Sequence, residues 1–547
     1  MFKEEIIKIL SKEVKISKKE IESLIEVPPD SKLGDYAFPC FALARIYKKS
    51  PVEIAEEITG KLETNAKIEK IYSAGPYINF LINKKKLAEQ IIKINESYGR
   101  KKGKGWVLLE HTSVNPNASP HVGRTRNSII GDSIKRLLEF TGNKVETHYY
   151  VNDVSKQIAI LALVFTPKDK FEDLLKKYVE ISNKIKENPE LEKNVFELLH
   201  KFEHKDKKTT ELFKKIVDTA IKGQKSIFSD MGIEFDYFDY ESRYIESSKN
   251  ILKELEKTGK LFKDDDGRLV LNQENTGLER SMKSPVLVLT RSDGTGLYPL
   301  RDLAYTIDKC KKGRNILVLG EDQKLYFEQL KQALILLGKP YPEVVHYSFV
   351  LLKGIGKMAS RRGDVVLLSD FLAEAIEKAK QEISKRKTKG DAKKIAVGAV
   401  KYANLRNENN KNITFDWQQA LSFEGDSGPY LQYSYARASS ILRKAKKPRK
   451  TKRHSKITIK SLEEQEIKLV KKIAEFPENV ERAARQLNPS LIANYSLQLA
   501  QAFNEFYHSC PVIGNKQEQF RLGLVQAFTF SMKNSLYLLG IDVMEEM

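Results

Sequence analysis

Apolar positions along the chain change their spacing repeatedly, and each change marks an element. Trp106-Val107-Leu108-Leu109-Glu110 is a short continuous apolar run, the pattern of a strand buried on both faces. Residues 111–120, rich in Pro and Asn, interrupt it as a loop. Ile130, Ile134, Leu137 and Leu138 then recur at helical spacing, and Thr141-Gly142 ends that helix on a glycine. Val145, Thr147, Tyr149 and Val151 alternate as a strand. Strand, loop, helix and strand in that order predict the opening of a parallel doubly wound sheet. The run 316–320 reads as a later strand feeding a helix over 326–337, and 344–352 reads as another strand.

The same patterns divide the chain. Residues 1–95 read as a small α/β module with helices including 6–10 and 52–62, followed by a basic turn, Lys101-Lys102-Gly103-Lys104-Gly105. Residues 96–395 hold the parallel sheet, with two insertions read as helical, about 156–235 and 243–290. From 396 to 547 the pattern is helical. The expected fold is therefore α/β: a doubly wound, Rossmann-type sheet domain with a small N-terminal α/β domain and an all-α C-terminal domain.

Length supports several domains, because 547 residues exceed what one hydrophobic core organises. No apolar run approaches the roughly 18 residues that span a bilayer, so no membrane association is expected. The first 20 residues are polar and helix-forming, without the apolar stretch of a secretion signal, which argues for the cytoplasm. Cys40, Cys310 and Cys510 lie far apart and form no CxxC pair, so neither a disulfide framework nor a bound structural metal is expected. The net charge of +21 suits a polyanionic partner such as nucleic acid, although a lysine-rich enzyme without one would carry the same excess. The basic stretch from Arg443 to Arg453 contains Pro448, which argues against a buried helix. A solvated linker and a contact to phosphate both stay open for it.

Two loops carry candidate chemistry. Pro120-His121-Val122-Gly123-Arg124 lies between the first strand and its helix, where doubly wound sheets bind ligands. Its glycine admits close backbone approach, the helix N-terminus favours phosphate, and an imidazole can donate to a phosphoryl oxygen. Gly356-Lys357-Met358-Ala359-Ser360-Arg361-Arg362-Gly363 follows the strand over 344–352 and precedes a helix that Ser369-Asp370 is expected to cap. Three cations on a glycine-bounded loop make a mobile clamp for polyphosphate. Either loop alone is as well explained by local structure.

Together, and in this order, they resemble the HIGH and KMSKS motifs of class I aminoacyl-tRNA synthetases. The flanks are similar to those of arginyl-tRNA synthetases. The run from Glu110 through Ser113 and Asn115 to His121 resembles that family's E-x-x-S-x-N approach to its first motif. Lys357 to Gly363 resembles its KMSTRKG version of the second. Ser427-Gly-Pro-Tyr430-Leu-Gln-Tyr433-Ser-Tyr-Ala-Arg437 resembles the segment that opens its helical anticodon-binding domain of the DALR type. The end, Leu538 to Met547, resembles its closing LLG…ExM, and Gly34-Asp35-Tyr36-Ala37 with Gly75-Pro-Tyr77-Ile-Asn79-Phe80 resemble its N-terminal domain, which touches the tRNA elbow. Four positions depart from the pattern: Arg124 replaces the second histidine of the first motif, Ser360 the second lysine of the second, Ser155 the glycine of the family's D-x-G-x-Q, and Tyr240 the glycine of its G-E-S, which Tyr240-Glu241-Ser242 otherwise resembles.

The resemblance implies an arginine–tRNA ligase. Such an enzyme activates L-arginine with ATP and Mg²⁺ to arginyl-adenylate, then transfers it to the 3′-terminal adenosine of tRNA(Arg), with activation expected to need bound tRNA. It implies His121, Gly123, Arg124, Lys357, Met358, Ser360 and Arg361 at the ATP, and no protein-held metal. It implies Ser113, Asn115, Glu241, Tyr298, Asp302 and Gln323 around the arginine; Tyr298 and Asp302 stand in a segment resembling the family's SDGTTLY…RD. Tyr77, Asn79, Tyr430, Tyr433, Arg437 and Met547 are implied to face tRNA, with core packing an open alternative for Tyr430 and Tyr433. A monomer is expected. The alternatives are a tRNA-binding paralogue with altered catalysis, another nucleotidyl-transferring enzyme of the class, and a plain basic RNA-binding protein.

Overall fold

The computed structural model describes the chain except residues 1, 104, 118, 283, 353–355, 358–365 and 446–458. Met358, Ser360 and Arg361 of the second motif therefore lie outside the described residues, as does most of the basic stretch around Pro448. The chain forms two compact units, one of residues 1–98, 441–475 and 501–531, the other of 99–440, 476–500 and 532–547. Among the described residues no helix is long and apolar enough to cross a membrane.

In the first unit, helices α1 (Phe2–Glu13), α2 (Lys18–Leu24), α3 (Ala44–Tyr47), α4 (Pro51–Thr59) and α5 (Lys84–Ile91) accompany an antiparallel sheet. Its strands β1 (Tyr36–Pro39), β2 (Ile68–Ala74) and β3 (Tyr77–Ile82) lie in the order β1-β3-β2. Ser17 and Ser50 cap α2 and α4 with reciprocal serine–glutamate capping boxes.

The second unit is built on the predicted parallel sheet. Strands β4 (Trp106–Glu110), β5 (Lys144–Val151), β6 (Tyr237–Tyr240), β10 (Arg314–Gly320) and β11 (Glu343–Tyr347) lie in the order β11-β10-β4-β5-β6, every pair parallel. The order reverses between β4 and β10, and the crevice there, outside the carboxyl ends of the strands, is where this architecture binds ligands. Helix α6 (Val122–Phe140) packs on β4, β5 and β10. Gly142 ends it at φ 96°, in the region that favours glycine. The first insertion is helical as expected: α7 (Lys156–Ala162), α8 (Phe171–Glu187), α9 (Pro189–Glu203) and α10 (Lys207–Asp230).

The second insertion is not all helix. After α11 (Ile245–Glu256) comes an antiparallel sheet of β7 (Leu261–Lys263), β8 (Leu269–Asn272) and β9 (Val286–Val288). Asp264 turns β7 into β8 by accepting from the Asp266 and Arg268 amides, with Gly267 at φ 76° supplying the left-handed residue. Helices α12 (Tyr298–Cys310) and α13 (Lys324–Leu336) flank β10 in sequence.

The strand expected over 344–352 is two strands. β11 ends at Tyr347, and β12 (Val350–Leu352) joins a separate sheet with β13 (Gly356–Lys357) and β14 (Ile413–Phe415). The break is held by Arg126 on α6, whose buried guanidinium donates to the carbonyl oxygen of Ser348 between the strands.

Helices α14 (Leu368–Arg386), α15 (Ala392–Leu405), α16 (Trp417–Ala420), α17 (Gly428–Ala445), α18 (Glu464–Ala474), α19 (Phe476–Gln486), α20 (Ser490–Ser509) and α21 (Glu518–Leu538) complete the chain. Ser369-Asp370 do not cap α14: Leu367 does, without a side-chain bond, because its backbone pairs with His121.

Candidate active site

The loop after β4 is strained and heavily tied down. Thr112 and Ser113 both have positive φ, 79° and 45°, at a cost on the order of 1–3 kcal/mol each. Buried partners offset it: the Thr112 amide donates to Asn127 Oδ1 at 2.9 Å, and its hydroxyl lies 3.0 Å from Ser128 Oγ and 2.8 Å from His111 Nδ1. The Tyr149 hydroxyl accepts from the Val114 amide at 3.0 Å, and Gln224 Nε2 donates to the Asn115 carbonyl at 3.0 Å. His111 lies flat against Gly131 of α6, where a β-carbon would stand 2.3 Å from the ring. Burial pushes this histidine down to about 4, so it is neutral.

His121 sits at the N-cap position of α6. Its flanks are stitched to the chain that follows the second motif. The Val122 amide donates to the Val366 carbonyl at 3.0 Å, and the Leu368 amide to the Pro120 carbonyl at 2.7 Å. The first motif thus lies against the chain that follows the second. Burial, then the charge of Arg124, pushes His121 down to about 4. Its ring is a neutral donor and acceptor, and Nδ1 is buried without a partner among the described residues. Gly123 is in the first turn of α6. Arg124 faces Asp322, 3.7 Å away in the turn after β10, and so spans the reversal point of the sheet. Lys357 has its backbone in β13, opposite Leu351.

The residues expected around arginine converge at the same strand ends. Glu241 follows β6 and is 1% exposed. Arg301 Nε donates to its Oε1 at 2.5 Å, and Arg301 Nη1 to the Gly296 carbonyl at 2.7 Å. Asp302 accepts at 2.5 Å from the hydroxyl of Tyr326 on α13. Tyr298, one turn before Asp302 on α12, is 51% exposed, and its ring lies 5.2 Å from that of Tyr326. Tyr150 stacks on Tyr305 at 4.3 Å, its hydroxyl buried. Burial raises Glu241 to about 7 against the opposing charge of Arg301, and raises Asp302 to about 6 against the Tyr326 hydrogen bond. Ser113 and Asn115 are exposed on the strained loop, with Ser113 Oγ accepting from the Tyr150 amide at 3.2 Å. Gln323 is half-buried in the turn after β10. Arg301, Tyr326 and Tyr150 were not among the expected residues. Arg301 had a signal, standing beside Asp302; Tyr326 and Tyr150 reach the site only through the tertiary fold.

The residues expected to face RNA are placed unevenly. Tyr77 lies edge-on to Phe41, itself 55% exposed. Asn79 is 2% exposed between Ala37 and Tyr72, so its side chain does not reach the surface, although alternation places it on the face of β3 that carries Tyr77 and not on the core face of Ile78, Phe80 and Ile82. Tyr430, Tyr433 and Arg437 are half-buried on one face of α17, while Leu431, Tyr435 and Ala438 fill the core beside them. Arg437 lies over the Tyr433 ring at 4.7 Å and donates to its hydroxyl. Met547 is half-buried.

Among the described residues one group has metal-like spacing, Glu463, Glu466 and Cys510. Arg521 already occupies it, donating to Glu466 at 2.8 Å and Glu463 at 2.5 Å, while burial pushes the thiol up to about 12. A guanidinium between two carboxylates and a protonated thiol is an ion pair and leaves no room for a cation.

Comparison with known proteins agrees along the whole chain. Residues 87–417 match the catalytic domain of "tRNA synthetases class I (R)", 431–547 the DALR anticodon binding domain, and 1–82 the arginyl tRNA synthetase N-terminal domain. The arginine–tRNA ligase of Methanocaldococcus jannaschii is 38% identical, with 98% of this chain and 97% of that one aligned. That of Halothermothrix orenii is 34% identical over all of both. Among solved structures, the arginyl-tRNA synthetase of Thermus thermophilus superposes with a TM-score of 0.82 at 27% identity, covering 100% of this chain and 99% of that one.

Proposed function

Because the chain belongs to the arginyl-tRNA synthetase family of class I enzymes, its reaction is that of an arginine–tRNA ligase, and we propose the following division of labour among its residues. The substrates are L-arginine, ATP and tRNA. The comparisons lend no support to a paralogue that only binds RNA.

The observation that carries the amino-acid site is its charge balance. Glu241 and Asp302 are two carboxylates set close to a single fixed guanidinium, Arg301, and both are raised toward neutrality by burial. A site in that condition gains most from one more guanidinium, which a carboxylate receives through paired hydrogen bonds. Tyr298 borders the open side. ATP lies between the loops of the two motifs. His121, being neutral, contributes a hydrogen bond and no charge. The positive charge that steadies pyrophosphate as it leaves comes from Arg124, Lys357 and the arginines after it. The arginine carboxylate attacks the α-phosphate in line, and the acyl group passes to a ribose hydroxyl of the terminal adenosine.

Mg²⁺ bound with ATP would supply charge that neutralises its phosphates. Among the described residues no carboxylate cluster stands by these loops, and the nearby Asp322 is paired with Arg124. None of the roles proposed for the protein's residues runs through Mg²⁺. Tyr77, Tyr430, Tyr433 and Arg437 contact tRNA. The enzyme acts as a monomer in the cytoplasm.

Pyrophosphate exchange tests the assignment. Lys357→Ala should slow arginine-dependent exchange by about 100- to 1000-fold while arginine binding stays near normal. Exchange at the normal rate would remove Lys357 from the site. Run without tRNA, the unmodified enzyme should show little exchange, because RNA binding supplies the free energy that closes the loop.

A further inference from the structure

The substrate is a guanidinium, and the protein places a guanidinium of its own on one of the two carboxylates that would receive it. Arg301 is 5% exposed and Glu241 1% exposed, so this contact is well shielded from water. Arg301 also reaches the carbonyl of Gly296, in the loop that leads into α12. One side chain therefore joins the turn after β6, the loop before α12, and α12 itself. Among the described residues Asp302, the next residue, has no such cation; its oxygen is held by the hydroxyl of Tyr326.

We propose that Arg301 is a positioning residue for substrate selection. By occupying Oε1 of Glu241 and the Gly296 carbonyl it holds one carboxylate in place and favours its ionised form against burial. Asp302, held by a hydroxyl, is left for the substrate guanidinium to meet. The proposal rests on the reading of Glu241 and Asp302 as the arginine-binding carboxylates.

The electrostatics follow the same logic. Around Glu241 stand Arg301, Asp302, Asp153 and Tyr150; around Arg301 stand Glu241, Tyr150 and Glu203. Only Arg301 among them is a cation. Without it, a buried Glu241 beside two other carboxyl groups takes up a proton more readily, and its edge turns from acceptor to donor. Loss of Arg301 should therefore weaken arginine binding most at low pH and least at high pH.

The test compares Arg301→Gln and Arg301→Lys with the unmodified full-length enzyme, in tRNA charging between about pH 6 and about pH 9. Melting temperature and KM for ATP are followed alongside. Arg301→Gln should raise KM for arginine by about 10- to 100-fold near neutral pH, with the defect growing as pH falls and KM for ATP unchanged. Arg301→Lys keeps the charge and loses the fork, so it should restore the pH profile but not the whole affinity. A defect in Arg301→Gln that is equal at every pH, or that moves kcat and melting temperature while sparing KM for arginine, would overturn the proposal. Should Arg301→Gln fail to fold, an unchanged arginine KM in Arg301→Lys does the same. Asp302→Asn separates the two levels: if it leaves KM for arginine intact, the carboxylate reading itself is wrong.

Discussion

Asp302 shows how a binding residue can work against the stability of the empty protein. Its folded value of about 6 lies above its ordinary 3.8. A carboxyl raised in this way stabilises the fold below pH 3.8 and loses that contribution as pH rises through 6. At pH 8 the ionised group is a net cost, on the order of 1–2 kcal/mol after allowing for its partial exposure. Asp302→Asn should therefore raise the melting temperature of the free enzyme at pH 8, with the gain vanishing near pH 4, while arginine binding is lost. A lower melting temperature at pH 8 would mean that the carboxylate is stabilised by more than Tyr326. Asp302 and Glu241 were readable in the sequence because each sits in a recognisable run of residues. Their condition was not readable, since it depends on Arg301 folding back onto Glu241 and on Tyr326 arriving from another helix. Asn79 is the converse case: its motif was legible, but its burial was not, because alternation puts it on the face of Tyr77 and only the fold covers it.

At the scale of elements, the clearest sequence signals were those of single segments buried by their own period. β4, α6 and β5 follow the apolar spacing closely. Signals failed where a neighbour decided the outcome. Backbone pairing with His121 displaced Ser369-Asp370 as the cap of α14, and Arg126 split one expected strand in two. The β7–β9 sheet was missed because its strands are only three or four residues long. Gly428 is a motif residue whose reason lies in packing. A β-carbon there would lie 2.3 Å from the Gly398 carbonyl oxygen, so α15 and α17 approach with backbone against backbone. Ser427 caps α17 by accepting from the Tyr430 amide at 3.2 Å. Gly428→Ala must push the two helices apart, and overpacking of this kind costs about 1–3 kcal/mol. Thermal unfolding should show the loss, and RNA affinity should fall with it if Tyr430, Tyr433 and Arg437 are displaced together. A melting curve identical to that of the unmodified enzyme would show that the helices can slide without penalty.

Across the whole molecule, the reaction needs three ligands of very different size to meet at one sheet. In the proposed arrangement ATP and arginine are handled at the carboxyl ends of β4, β6 and β10, within one unit. The excess of positive charge, +21 over the chain, suits tRNA and predicts RNA docking that is fast and weakens as salt rises. Order of domains and fold class were legible from the sequence because the motifs fall in sequence order along the chain. The pairing of the first motif with the chain after the second was not, because only the fold brings 366–368 beside Pro120 and Val122. The central claim is that arginine is chosen by Glu241 and Asp302. It is tested most directly by measuring kcat/KM for charging of tRNA with arginine and with citrulline, its neutral isostere, by the unmodified enzyme and by Glu241→Gln and Asp302→Asn. The account predicts that the unmodified enzyme refuses citrulline by about 10⁴ or more, and that each variant loses arginine charging by at least about 100-fold with KM for ATP unchanged. Measurable charging with citrulline by the unmodified enzyme, or normal arginine kinetics in both variants, would contradict it.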